Sequence, residues 1–306
     1  MPPEISYSLI SVEEYNQRLD RIIQIRDAER REVGDQTPGF TILEFCHLIR
    51  KPLSHLQAVA ARGHLTIRQE LDCLVELTDC FFQNRSQIRN EAEKARCLDF
   101  DNGVCIITGA PNPHVCHISP FEIHECACID VTDSSDKSWN MICLSPLLYE
   151  WWTRGYFALK FHGENANDDG TSSIQLQFFW MPSYIRSGTS SDPINLEQQR
   201  DPHTRLEAFL RYPHGENSPT CRPEDTCLMC AEAKQVTTHR PVSTGSIFTV
   251  TRATADVPYF RYVISIQWDV ICAASFSGRF RDPEVIRIRR DLGLEAPSGM
   301  VMRLLF

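Results

Sequence analysis

The sequence predicts an α+β fold: a helical N-terminal region around a central ββα unit, with additional strands and a C-terminal helix. Three observations predict it. The first hundred residues carry apolar positions at helical spacing behind two Ser/Thr-x-x-Glu capping patterns, at Ser11/Glu14 and Thr41/Glu44. Two short β-branched runs, residues 104–107 and 115–118, flank a turn rich in Gly, Pro and Asn and read as a hairpin. Ser145-Pro146 then opens the run LLYEWW, with proline at the first helical position.

Taken in order, Tyr15, Leu19, Ile22 and Ile23 form the apolar stripe of a first helix, which Gly34 and Pro38-Gly39 end. Thr41 and Glu44 start a second, with Phe45, Leu48 and Ile49 behind them, before Pro52 interrupts. Residues 54–62 form a short helix stopped by Gly63. Residues 66–82 form another, with Ile67, Leu71, Leu74, Val75 and Thr78 on one face. The charged stretch 83–96 continues as helix up to the ββα unit. Residues 1–95 are therefore a helical region, suited to packing or to a homo-oligomer contact. After Lys160, residues 163–173 read as a Gly/Asn/Asp loop, 174–181 as a strand, and 204–212 as a helix within a polar, loop-rich stretch. A strand over 246–252 follows, then a helix carrying Phe260, Val263, Ile264, Gln267, Trp268 and Ile271. No internal repeat is visible. The expected boundaries are 1–95, 96–278 for the central domain with its extension, and 279–306 for a tail.

The chemistry concentrates in VCIITGAPNPHVCHISPF and WNMICLSPLLYEWW. With His117 on the second strand and Asn140 before the helix, this segment resembles the HNH nuclease-type ββα-metal module, in the version found in many fungal proteins. The resemblance extends over roughly residues 95–278. It implies metal-assisted phosphodiester hydrolysis, with His117 as general base on the attacking water and Asn140 bracing the site or helping to hold the metal. The third motif position should be a metal-binding His on the helix, and Tyr149 stands there. A phenol with a pKa of about 10 is a poor ligand at neutral pH, whereas imidazole is a common one. Many relatives place Asp or His just before the first motif His, where this chain has Cys116, a soft ligand unsuited to magnesium. A divalent ion, magnesium or zinc, would then need other donors such as His114, Asn140 or a loop aspartate.

Other readings stay open. A pocket with His117 as base and Tyr149 as proton donor, the two rings facing each other, could act on a small molecule as isomerases or cyclases do, in fungal secondary metabolism. A non-catalytic interaction protein is the third reading. Cys221, Cys227 and Cys230, with His214 or His239 as fourth ligand, have the spacing of a structural zinc site, set against a loop with free or oxidised thiols. His124, Cys126 and Cys128 read as a loop, and Asp130, Asp133 and Asp136 as a solvated acidic loop. Residues 279–290, rich in Arg, read as an exposed helix face.

Composition narrows the partners. A 306-residue chain is ample for one large domain or two intimate ones, and 42% hydrophobic with 23% charged residues is an ordinary globular balance. The N-terminus lacks a basic region followed by an apolar run, so no secretory signal is expected, nor any membrane partner. An intracellular location, cytoplasmic or nuclear, follows. Thirteen cysteines there favour reduced thiols or metal over a disulfide framework. The net charge of −9 opposes a nucleic-acid partner, because that affinity comes largely from cations meeting phosphates. A small-molecule substrate remains the alternative.

Overall fold

A computed structural model of the chain describes residues 9, 13–34, 39–62, 64–83, 90–119, 136–181, 183–184, 189–201, 210–211, 233–282 and 285–287. The helical region contains α1 (Tyr15–Val33), α2 (Ile42–Leu48), α3 (Leu53–Arg62), α4 (His64–Gln83) and α5 (Glu91–Phe100). Thr41 and Glu44 make the expected capping box at α2: the Thr41 side chain accepts from the Glu44 amide, and Glu44 accepts from the Thr41 amide. The first cap is corrected. The N-cap of α1 is Glu14, at φ 57 and without a side-chain cap bond, and Ser11 lies outside the described residues. The expected continuous helix over 83–96 is also corrected, because Asn90 starts α5 by accepting from the amides of Ala92 and Glu93.

The apolar stripes turn inward. Leu19, Ile22, Leu48, Leu56 and Leu71 are fully buried and share one apolar cluster with Phe157, Phe178, Phe260 and Ile264 from the rest of the chain. These residues therefore spend the apolar faces of the helices on the chain's own core. Polar bonds tie the same layer: Arg68 pairs with Glu29 and Glu44, and Glu70 accepts from His47 and His55. Burial pushes the Glu70 carboxyl up, but the His47 bond and the neighbouring Lys51 and His55 outweigh it and hold the pKa at about 2.

The hairpin differs from the expected one. Strand β1 (His114–His117) pairs antiparallel with β2 (Met141–Leu144), not with residues 104–107. Residues 104–111 close on themselves: Val104 bridges Pro111, the Cys105 amide donates to Ala110 O, and the Gly109 amide donates to Cys105 O. Gly109 sits at φ 71, which glycine adopts without strain. The run reads as β-branched yet does not pair with β1: the Cys105 amide serves its own turn, and the Ile106 amide donates to Cys143 O of β2. Helix α6 (Pro146–Thr153) follows as expected, with Ser145 Oγ accepting from the Leu148 amide.

A three-stranded antiparallel sheet comes next, ordered β3 (Phe157–Ala166), β4 (Thr171–Trp180) and β7 (Ile247–Ala253). The loop expected over 163–173 is corrected: most of it is paired strand, and only 167–170 turn. Short strands β5 (Ser183–Tyr184) and β6 (Leu210–Arg211) pair with each other, so residues 210–211 are not helical as expected. Helix α7 (Val257–Ser277) packs on β3 and on α2 and α4, which joins the sheet to the helical layer. Gly278, at φ 79, ends it. Arg279 is buried between Asp79 and Asp282, correcting the exposed basic face expected from residue 279 onward. Among the described residues Cys46, Cys80, Cys97, Cys105, Cys116, Cys143 and Cys272 carry thiols, whereas Cys73 is disulfide-bonded, which corrects the expectation of reduced thiols at that position.

The structure also reveals a match that sequence comparison hides. Residues 234–241 (KQVTTHRP) repeat the turn of residues 104–111 (VCIITGAP) bond for bond. Lys234 bridges Pro241, the Gln235 amide donates to Arg240 O, and the His239 amide donates to Gln235 O. Thr108 Oγ1 accepts from the Ala110 amide at 3.3 Å, and Thr238 Oγ1 accepts from the Arg240 amide at 3.3 Å. His239 takes the positive φ of Gly109, at 54°. The turns touch through the Val236 amide and Thr108 O, and together they wall a cleft of about 280 Å³ against β7.

Candidate active site

The β1–β2 hairpin sorts the predicted residues onto two faces. Directly paired residues share a face, and successive residues alternate. The pairs Val115/Cys143 and His117/Met141 therefore lie on one side, and His114/Leu144 and Cys116/Ile142 on the other. The core agrees with this. Met141 and Cys143 cluster with Cys97 of α5 and with Val115, while Cys116, Ile142 and Leu144 join the cluster of Leu148 and Tyr149 from α6. The hairpin is thus held between α5 and α6.

On the α5 face, His117 Nε2 lies 2.9 Å from Asp136 Oδ1, with the two side chains only 4% and 7% exposed. Asp136 Oδ2 accepts from the Asn90 amide at 2.6 Å. Asp136 is therefore not part of a solvated loop, as expected, but the buried partner of the motif histidine. The contact lets Asp136 orient the imidazole through Nε2. Its spacing of nineteen residues from His117 across a polar segment offered no local signal. Residues 120–135, with His124, Cys126, Cys128, Asp130 and Asp133, lie outside the described residues.

Asn140 is 1% exposed and ends a 3₁₀ turn, Ser138–Asn140. Its Oδ1 accepts from the Ser119 amide and its Nδ2 donates to Ser119 O, each at 3.0 Å. The Ile118 amide also donates to Asn140 O. Three bonds close the end of the hairpin, which is a bracing geometry.

On the α6 face, the Tyr149 ring meets His114 edge-on with centroids 6.1 Å apart. His117 and His114 occupy opposite faces, so strand alternation corrects the expectation that Tyr149 and His117 face each other. Cys116 is 3% exposed, and burial pushes its thiol well up, with Cys97 and Cys105 nearby adding to the shift.

Residues 105–160 match the family model for HNH endonuclease. They form an HNH-type domain. The match spans the 104–111 turn from Cys105 onward, both hairpin strands, α6 and the start of β3. No curated protein and no solved structure matches the chain.

HNH-type domains depend on a metal, and the α6 face offers a poor donor set for one: an exposed imidazole, a phenol and a buried thiol pushed toward its protonated form. These residues do not fit a hard divalent ion. A different group, Cys97, Asp101 and Cys143, brings three ligand atoms within 4.8 Å of one another on the α5 face. Arg252 of β7 already pairs with this carboxylate at 2.7 Å. The C-terminal zinc expectation is divided: Cys221, Cys227, Cys230 and His214 lie outside the described residues, and His239 is exposed on its turn. Among the described residues, no helix is long and apolar enough to cross a membrane.

Proposed function

We propose that this chain is an HNH endonuclease-like protein in which metal-assisted phosphodiester hydrolysis is weak or lost. One observation carries the reading: on the face where α6 meets the hairpin, the side chains are His114, Cys116 and Tyr149. That set holds one good ligand for a catalytic divalent ion where a working site needs several. His117 keeps the chemistry of a base, since Asp136 orients it, while its near-complete burial restricts the approach of a nucleophilic water. Asn140 keeps its bracing role and acts on the hairpin end. A nucleic acid is the partner this domain type suggests; the net charge of −9 weakens that encounter. The small-molecule alternative, which joins His117 and Tyr149 across one pocket, loses support from their placement on opposite faces. An intracellular location is part of this reading, as is structural zinc on Cys221, Cys227 and Cys230; zinc content that survives Cys227→Ser, Cys230→Ser would remove the latter.

The test compares native protein with Tyr149→His and His117→Ala on plasmid DNA, with magnesium, manganese or zinc supplied in turn. The expected outcome is weak or no native nicking, an increase in Tyr149→His, and its loss when His117→Ala is added. Robust native cleavage that depends on His117 would overturn the reading.

A further inference from the structure

Among the described residues, Arg252 is the largest fully buried side chain, and it reaches from β7 into the group formed by Cys97, Asp101 and Cys143. The spacing of that group is specific. Cys97 Sγ lies 4.0 Å from Cys143 Sγ and 3.7 Å from Asp101 Oδ2. A tetrahedral zinc with Zn–S of about 2.3 Å and Zn–O of about 2.1 Å sets its ligands roughly 3.8 and 3.6 Å apart. Two edges of such a site are therefore close to the lengths a tetrahedral ion sets, and the Cys143 Sγ and Asp101 ligand atoms lie within 4.8 Å of each other.

A cation also stands among them. Arg252 Nη1 lies 2.7 Å from Asp101 Oδ1, and Nη2 lies 3.4 Å from Oδ2 and 4.0 Å from Cys97 Sγ. Nη2 donates to Met141 O at 2.6 Å. The rings of Phe100 and Phe260 flank the guanidinium at 5.8 and 5.0 Å, an environment suited to a delocalised cation and not to a hydrated metal ion. Both carboxylate oxygens are occupied, since Oδ2 also accepts from the Cys143 amide at 2.9 Å. Asp101 and Arg252 balance in charge, and a divalent ion beside them would add charge to a fully buried place.

We propose that the Arg252 guanidinium holds the cation's place in a latent Cys97–Asp101–Cys143 metal site. The native protein excludes a thiophilic divalent ion there, and removal of the guanidinium admits one. The site is independent of the nuclease reading, because it shares no residue with that reading and requires no turnover.

The experiment titrates cobalt(II) into EDTA-treated, reduced native protein and Arg252→His, in which the imidazole supplies a fourth donor. The readout is the thiolate-to-cobalt absorption that Cys97→Ser removes, which separates this group from any other cysteines. The expected result is no such component in the native protein, and about one ion per chain in Arg252→His. Should Arg252→His fold poorly alone, its thermal unfolding with and without zinc gives the second readout: zinc raises the midpoint of the variant and leaves the native one unchanged. A Cys97-dependent cobalt band in native protein would overturn the proposal. So would an Arg252→His chain that binds no ion and gains no stability from zinc, whether folded or not.

Discussion

The two faces of the β1–β2 hairpin carry different physics. The α5 face holds charge in a dry place: the Arg252–Asp101 pair is fully buried, and the His117–Asp136 pair nearly so. The α6 face is apolar apart from its rim, with Cys116, Ile142, Leu144 and Leu148 buried and His114 exposed against Tyr149. A hairpin this short has no stability of its own and must borrow it from both helices. The contrast shows that ionisable groups of an HNH-type domain can become part of its packing. Each buried charge on the α5 face is met by an opposite charge or a backbone group, which makes that face specific and costly to alter.

Breaking the contrast on the α5 face should have the largest effect. Arg252→Ala leaves Asp101 charged and buried without its partner, and is expected to cost about 3–5 kcal/mol in urea unfolding. A loss below about 1 kcal/mol would mean that water or a shifted side chain replaces the guanidinium. Next comes Asp136→Ala, which strips an acceptor from both His117 Nε2 and the Asn90 amide; about 2–3 kcal/mol is expected. The same change should speed amide hydrogen exchange at the start of α5, since Asn90 is its cap. Asn140→Ala removes two buried bonds to Ser119 and should cost about 2 kcal/mol, with faster exchange at the Ser119 amide. The smallest effect belongs to the α6 face. Tyr149→Phe keeps the ring against His114 and should change stability by less than about 0.5 kcal/mol. A larger loss would reveal that the phenol hydroxyl matters to the fold, and would narrow the difference between the faces.

Much of the local structure was legible in the sequence because its causes lie within one turn of chain. Thr41 and Glu44 cap α2, Ser145 and Pro146 start α6, and the apolar spacing of residues 260–271 marks α7. The HNH-type unit could be read from HIS, WN and LSP in order. What the sequence alone did not decide was partnership. Residues 104–107 have the composition of a strand, yet β1 pairs with β2, while residues 104–111 form a turn that bonds to β2 through the Ile106 amide and Cys143 O. The likeness of residues 104–111 to 234–241 lies in hydrogen bonds and one positive φ, which KQVTTHRP and VCIITGAP share with few identical side chains.

By itself, then, the sequence determined the starts of α2 and α6, the apolar faces and the order of motif residues, all set by interactions between near neighbours. Only the tertiary structure decided which charges are buried together. Asp101 and Arg252 are 151 residues apart, and Asp136 looked like one of several acidic residues in a loop. Nothing local distinguishes an aspartate that will be solvated from one that will meet a guanidinium or an imidazole. That choice belongs to the packing of α5, the hairpin and β7, where a buried charge persists only if an opposite one arrives with it.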